Sequence, residues 1–177
     1  MIILTFKSHG QIPDWKLEDN RIDSVCTVTA KNYIYQKLGK TFTDKYLSYY
    51  GIFRPVVLFK IKGSHCRHKI IPIYCDTTNI DTNFTKVDKS QILKFLTGKC
   101  NKNYWIDTTE ALKIAKATTD FKNYEYYTSL VFLGEKMYPR WCFKIYFNAS
   151  YGNPTGKQIS VNPVTEKFMT SYFLSQP

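Results

Sequence analysis

The most regular alternation of hydrophobic and polar residues in the chain begins near position 140. Large apolar residues then recur at every second position: Trp141, Phe143, Ile145 and Phe147. The positions between them hold mostly polar or charged side chains, with one thiol among them: Arg140, Cys142, Lys144 and Tyr146. A period of two residues places the two sets on opposite faces of a strand. The pattern predicts a strand with one face in the core and one face toward solvent.

A capped helix and further strands surround this strand. Asp107 is a good N-cap residue, and Glu110 stands three positions later, which is the spacing of a capping box. Ala111 and Ala115 share one face of the predicted helix and allow close packing on a sheet. Residues 126–133 read as a strand before position 140, and alternating apolar residues near position 160 predict another after it. Residues 168–174 can add a strand or pack as a tail.

The first half of the chain has a similar order of elements. Residues 56–62 and 68–75 are β-branched and apolar, with Gly63 at the turn between them, so they predict a hairpin. Helices are predicted over 30–38 and 43–50, the second capped by Thr43. A third short helix is expected from the capping-box spacing that begins at Asp88. Pro72 lacks a backbone N–H and favours an edge strand or a bulge.

Both halves therefore read helix, strand, turn, strand, over 28–75 and over 107–168. This order predicts an α+β fold of antiparallel sheets with helices packed on one face. Either the helix–strand–strand unit is duplicated, or a common pattern occurs twice. We divide the chain into a signal-peptide remnant at 1–11, an N-terminal α+β unit at 12–100 and a second α+β unit at 101–177. The two units can also form one continuous domain.

The net charge of +11 points to an acidic partner or to a solvated basic surface. No long run of basic residues occurs, so the spread of lysines argues against a nucleic-acid interface. The densest basic stretch lies at the end of the predicted hairpin: Lys60, Lys62, Arg67, His68 and Lys69. A cytosolic protein that binds nucleic acid or an acidic protein is the alternative to the function favoured below.

The N-terminus resembles the end of a secretory signal peptide. An apolar run at 2–4 gives way to small residues and then to Gln11, although the apolar part is short and a basic leader is missing. We interpret the start as assigned too late and expect a secreted or periplasmic protein. The alternative is a short first strand at 2–6 in a cytosolic protein. No apolar run reaches the ~18 residues that a transmembrane helix needs.

Five widely spaced cysteines do not form a disulfide framework, and buried single thiols are the expected state. A Cys66–Cys75 bridge across the hairpin is an option for an exported protein. The grouping of His65, Cys66 and His68 near Cys75 lacks the paired spacing of a zinc site. We find no nucleophile motif, no acid–base pair and no phosphate-binding loop, and therefore predict no enzyme activity, no cofactor and no metal.

Residues 107–168 resemble the PepSY-like family, named for the propeptides of secreted metallopeptidases. Residues 107–115 match the capped-helix pattern Asp/Thr-x-x-Glu-Ala-x-x-Ile-Ala, and residues 141–143 match a Trp-x-Val-type strand. Residues 156–165 match a terminal Gly-x-x-x-x-Val-Asp-Ala-x-Thr-Gly segment. The chain departs from that segment at Asn162 and Pro163, which replace Asp-Ala, and at Glu166, which replaces the last glycine.

This resemblance implies a PepSY-like, cystatin-like sheet with a helix across one face, in a cell-envelope or extracellular setting. It also implies a non-enzymatic protein that binds a protein partner, such as a peptidase that it inhibits or chaperones. We expect the contacts on the outward row of the strand near position 140 and on the loops at 134–140 and 148–156. The candidate residues are Arg140, Lys144, Tyr146 and Tyr151.

Overall fold

Helices and two antiparallel sheets make up the part of the chain that the computed structural model describes, namely residues 14–76, 78–100, 104–117, 127–133, 138–146 and 155–174. The predicted α+β class is confirmed. The first half contains α1 (Asp14–Leu38), α2 (Lys40–Tyr46), β1 (Leu47–Phe53), β2 (Val56–Ile61), β3 (His68–Asp76), β4 (Asn79–Ile80) and α3 (Lys89–Leu96). The second half contains β5 (Trp105–Ile106), α4 (Thr108–Ala117), β6 (Tyr127–Leu133), β7 (Tyr138–Tyr146), β8 (Thr155–Val161) and β9 (Phe168–Leu174).

The first sheet has the order β1-β2-β3-β4, and β5 lies beside β3. The predicted hairpin is its centre, with Val57, Phe59 and Ile61 on one face. These residues form a core with α1 and α3, to which α3 contributes Ile92 and Phe95. The predicted cap of α3 is confirmed, because the Asp88 carboxylate accepts a hydrogen bond from the Ser90 N–H at 2.7 Å.

Pro72 lies in β3, opposite Leu58 of β2. The N–H of Tyr74, two positions on, points away from β2 and donates to Thr85 Oγ1 at 3.0 Å. Residues of equal parity point their backbone groups to the same side of a strand. The missing N–H of Pro72 therefore removes no hydrogen bond to β2. On the other side of β3, Pro72 lies between the segment that pairs with β5 and the segment that pairs with β4.

Two predicted helices differ from the observed ones. The first helix was expected over 30–38, but α1 begins at Asp14. Its buried residues recur at every fourth position: Cys26, Ala30, Ile34 and Leu38. Because two of them have small side chains, the buried face differs little in hydrophobicity from the rest of the segment.

The second helix was expected over 43–50, but α2 ends at Tyr46 and residues 47–53 form β1. Thr43 is not the cap, since its hydroxyl lies inside the helix and donates to the Gly39 carbonyl at 2.9 Å. Pairing with β2 draws Leu47 opposite Ile61 and Tyr49 opposite Phe59. Tertiary pairing therefore overrides local helix preference in this segment.

The second sheet has the order β6-β7-β8-β9. Its inner face carries Trp141 and Phe143 from β7 with Ile159 and Val161 from β8, as the alternation predicts. The side chain of Ile145 and all of Phe147 fall outside the described residues. The predicted cap of α4 is confirmed by a 3.0 Å hydrogen bond from the Glu110 N–H to the Asp107 carboxylate.

A second core joins the two sheets. The face of the first sheet that turns away from α1 contributes Val56, Leu58 and Ile70 to it. These residues pack with Ala111 and Ala115 of α4 and with the inner face of the second sheet. Trp141 is fully buried at the join. Its indole N–H donates to the Ile106 carbonyl at 3.0 Å, and its ring meets Phe53 edge-on at 5.4 Å.

The indole hydrogen bond of Trp141 makes a testable contribution to stability. Trp141→Phe keeps an aromatic ring but leaves the buried Ile106 carbonyl without its donor, and we expect the free energy of unfolding to fall by about 1–3 kcal/mol. Trp105→Phe is the matched control, because it removes a buried indole without removing that hydrogen bond. Urea unfolding measures both. Equal losses of unfolding free energy in the two variants would mean that the smaller ring alone explains the effect and that the hydrogen bond contributes nothing.

Candidate functional site

The predicted contact row on β7 is less exposed than the alternation indicates. Arg140 and Lys144 are half-buried, and Cys142 between them is fully buried. Cys142 lies opposite Ser129 of β6 and Ser160 of β8, and Ser160 is also buried. The outer face of the second sheet is therefore covered along its centre. Of the other candidates, the Tyr146 side chain and all of Tyr151 lie outside the described residues.

Arg140 holds the beginning of β9. Its Nη1 donates to the Lys167 carbonyl at 3.1 Å, just before the strand begins at Phe168. The Arg140 Nε is buried and has no hydrogen-bond partner among the described residues. A guanidinium held in this way positions a neighbouring strand.

Among the described residues of this half, the exposed large apolar side chains lie on β9, which sequence reasoning did not select as a site. Phe168 is 46% exposed, Met169 56% and Tyr172 75%. On the adjacent strand β8, Ile159 and Val161 are fully buried. The core therefore ends between β8 and β9. β9 is an edge strand of this sheet as far as the described residues go, and it carries exposed apolar side chains on both faces, Phe168 and Tyr172 on one and Met169 on the other.

A tight turn over 162–166 connects β8 to β9. The Asn162 carboxamide oxygen accepts hydrogen bonds from the Val164 and Thr165 N–H groups, both at 2.9 Å. Glu166 has φ +59°, a left-handed conformation that favours glycine. Its carboxylate is held by Arg67, whose Nη2 lies 3.0 Å from Glu166 Oε2. The ion pair from the first sheet therefore fixes the turn that leads into β9.

Three cations of the densest basic stretch contact carboxylates of the second half. Lys60 and Lys69 place their Nζ atoms 3.3 and 3.4 Å from Asp107 Oδ2. Arg67 Nε lies 3.1 Å from Glu110 Oε2, in addition to its contact with Glu166. These three cations are used to join the first sheet to α4 and to the turn before β9.

Asp107 is the buried centre of this charge cluster, with 3% of its side chain exposed. Burial alone would raise the pKa of its carboxyl group. The hydrogen bond from the Glu110 N–H and the charges of Lys69 and Lys60 outweigh that effect, and the pKa lies below its ordinary value. The carboxylate is therefore ionised at neutral pH and binds α4 to the first sheet.

The structure contains a disulfide bond that joins Cys66 to Cys100, with a Cα–Cα distance of 5.4 Å. The Cys66–Cys75 bridge considered from the sequence is not formed. Cys75 is buried on the face of β3 that packs on α1, and its carbonyl lies 3.7 Å from Cys26 Sγ. Cys66 lies in the turn before β3, where it reaches the chain that follows α3. Sequence spacing did not indicate this pair, because folding brings it together across 34 positions.

The remaining thiols are buried, as expected: Cys26, Cys75 and Cys142. Burial raises the pKa of Cys75 to about 12 and that of Cys142 to about 11, so both are protonated at neutral pH and are poor nucleophiles. Within the described ranges, no group of three or more His, Cys, Asp or Glu residues is arranged to hold a metal ion.

A scan against protein-family models gave no match, and searches of curated proteins and of solved structures gave no significant match. None of the helices in the described part of the chain is long and apolar enough to cross a membrane.

The low pKa of Asp107 predicts a pH-dependent contribution to stability. At neutral pH, Asp107→Asn should lower the free energy of unfolding by about 1–3 kcal/mol, because the cap remains but Lys60 and Lys69 lose their counter-ion. The contribution of a carboxylate with a lowered pKa is present above its unfolded pKa of about 3.9 and is lost as the pH falls through the folded value. The difference between wild type and variant should therefore shrink below about pH 4.

Chemical unfolding at a series of pH values measures this difference. Asp76→Asn is the matched control, because Asp76 is exposed at the end of β3 and its loss should change stability by less than about 0.5 kcal/mol. A difference for Asp107→Asn that stays constant down to about pH 2 would contradict the role assigned to the carboxylate.

The disulfide predicts a second stability effect. Closing a loop between positions 34 apart restricts the unfolded chain by an amount equivalent to about 3–4 kcal/mol. Reductant should lower the unfolding midpoint of the wild type to that of a Cys66→Ala, Cys100→Ala double variant and should leave the double variant unchanged. Peptide mapping without reduction should recover the Cys66–Cys100 pair. Recovery of Cys66 joined to Cys75 would contradict the assignment.

Proposed function

We propose that this protein is a non-enzymatic binding domain that works outside the cytosol and holds a protein partner at the exposed β9 side of its second sheet. The observation that carries the proposal is the group of large apolar side chains exposed on one edge strand: Phe168, Met169 and Tyr172. Large apolar side chains that stay exposed close together are typical of a protein-interaction site.

The secreted or periplasmic setting is supported by the Cys66–Cys100 disulfide, because structural disulfides persist mainly in oxidising compartments. The signal-like N-terminus supports the same setting from the sequence. A peptidase as partner, with inhibition or chaperoning as the outcome, follows from the PepSY-like resemblance. The positive φ of Glu166 is in keeping with that resemblance, since the family pattern has glycine at this position.

A nucleic-acid partner finds less support. Such a function needs cations gathered on one open face. Lys60, Arg67 and Lys69 belong to the densest basic stretch of the chain and are paired with Asp107, Glu110 and Glu166. The raised pKa of Cys75 and Cys142 argues against a thiol nucleophile at either of these two positions.

Site-specific photo-crosslinking in the cells that make the protein tests this proposal. A photoreactive phenylalanine at position 172 should give a defined protein adduct that excess unlabelled wild type displaces. The same probe at position 49 is the matched control, because Tyr49 is also an exposed tyrosine on a strand, β1, but lies in the first sheet. Met169→Ser should reduce the adduct at least tenfold, since a buried Met side chain contributes about 1.5–3 kcal/mol to binding.

Equal adducts from positions 49 and 172, or an adduct that Met169→Ser leaves unchanged, would place the partner elsewhere and overturn the proposed surface. The folded state of each variant is checked by its unfolding midpoint, because Met169 and Tyr172 are exposed and their replacement should leave stability nearly unchanged.

A further inference from the structure

The backbone of β9 has a defined set of hydrogen-bonding groups directed away from β8. The turn closes with a hydrogen bond from the Asn162 N–H to the Lys167 carbonyl at 2.9 Å, so positions 162 and 167 form a hydrogen-bonded pair. In an antiparallel ladder, hydrogen-bonded and non-hydrogen-bonded pairs alternate. The register pairs Val161 with Phe168 and continues without a shift. The backbone groups of Met169 and Ser171 therefore form hydrogen bonds with β8. The alternate residues direct their N–H and C=O groups outward: Phe168, Thr170 and Tyr172.

No strand in the described part of the chain pairs with this outward row. Such a row of N–H and C=O groups on an edge strand is a template for pairing with another chain. Native sheets often protect an edge with proline, a bulge or a charged residue within the strand. Between positions 168 and 172, β9 contains none of these protections.

The side chains beside the outward row can hold an added strand from both faces. Phe168 and Tyr172 lie on the inner-face side and Met169 on the outer-face side, and all three are exposed. Lys157 of β8 lies over the Tyr172 ring, with Nζ 5.7 Å from its centroid. An extended segment paired with β9 would pack its alternate side chains against these residues.

The charges around β9 favour an acidic segment over a basic one. Lys167 is exposed immediately before the strand, and Lys157 lies beside Tyr172. Glu166 is the sole carboxylate among residues 155–174, and Arg67 pairs with it. Carboxylates on an incoming segment would meet lysine ammonium groups, whereas lysines would meet like charge.

We propose that β9 binds its partner by strand addition, in which an extended acidic segment of the partner protein pairs with Phe168, Thr170 and Tyr172 and becomes a fifth strand of the second sheet. This inference rests on the proposed function and adds the binding mode and the chemistry of the partner. Main-chain hydrogen bonds provide affinity in this mode, and the side chains on the two faces provide selectivity.

Titration of the isotope-labelled full chain with two model peptides tests the mode. One probe is an end-capped six-residue peptide of alternating Glu and Val, and the other alternates Lys and Val. The acidic peptide should shift the amide resonances of Phe168, Thr170 and Tyr172 and slow their hydrogen exchange. The lysine peptide should bind at least tenfold more weakly.

Thr170→Pro is the decisive variant, because the Thr170 N–H points outward and its loss leaves the pairing with β8 intact. Acidic-peptide binding should fall at least tenfold in Thr170→Pro and should be retained in the matched control Thr170→Val. An acidic peptide with an N-methyl group at every residue, which removes the N–H groups from both of its edges, repeats the test on the wild type, so the result does not depend on the folding of the proline variant. The methylated peptide should also bind at least tenfold more weakly.

Tight binding of the methylated peptide, or of the acidic peptide to a folded Thr170→Pro, would overturn strand addition. Equal binding of the two unmodified peptides would overturn the preference for acidic segments. Concentration-dependent protection of the β9 amides without peptide would assign the edge to a second copy of this chain, which also overturns the proposal. Crosslinking from position 172 distinguishes a failure of strand addition from a failure of the proposed function. An adduct that persists in Thr170→Pro would overturn strand addition and keep the protein-binding role. The absence of an adduct from the wild type would overturn both proposals.

Discussion

The rest of the structure depends on one short segment, residues 105–107, which links the two sheets. Its strand pairs with β3 on one side. On the other side, the Ile106 N–H donates to the Pro163 carbonyl at 2.9 Å, and the Ile106 carbonyl accepts the Trp141 indole N–H. The next residue, Asp107, caps α4 and holds Lys60 and Lys69. Backbone hydrogen bonds and a buried carboxylate thus fix the second sheet on the first within three residues.

This joint also shows what part of the densest basic stretch does in the fold. A basic stretch in a chain with a net charge of +11 invites an electrostatic role toward a partner. In the fold, Arg67 forms ion pairs with Glu110 and Glu166 of the same chain. The ion pair holds a turn in which Glu166 adopts a left-handed conformation, and that turn sets the start of β9. The first sheet therefore contributes to the candidate site by fixing the edge strand.

Local chemistry made several elements predictable. The caps at Asp88 and Asp107 and the hairpin face that carries Phe59 follow from interactions within a few residues, and each is observed. Residues 47–53 were predicted partly as helix, because their strand conformation depends on pairing with β2. The start of α1 was missed, since a buried stripe that includes Cys26 and Ala30 gives little contrast with its surroundings.

The features of the candidate site also differ in whether the sequence predicts them. By itself, the sequence determined which residues of β7 alternate, that Asp88 and Asp107 cap helices and that the outer row includes Arg140 and Lys144, because these properties depend on side-chain type and short spacing. The tertiary structure alone decided that Cys66 pairs with Cys100 and that the core ends at β8. It also decided that β9, with Tyr172, remains exposed. Burial and pairing at those positions depend on which elements meet across long separations, and no local pattern contains that information.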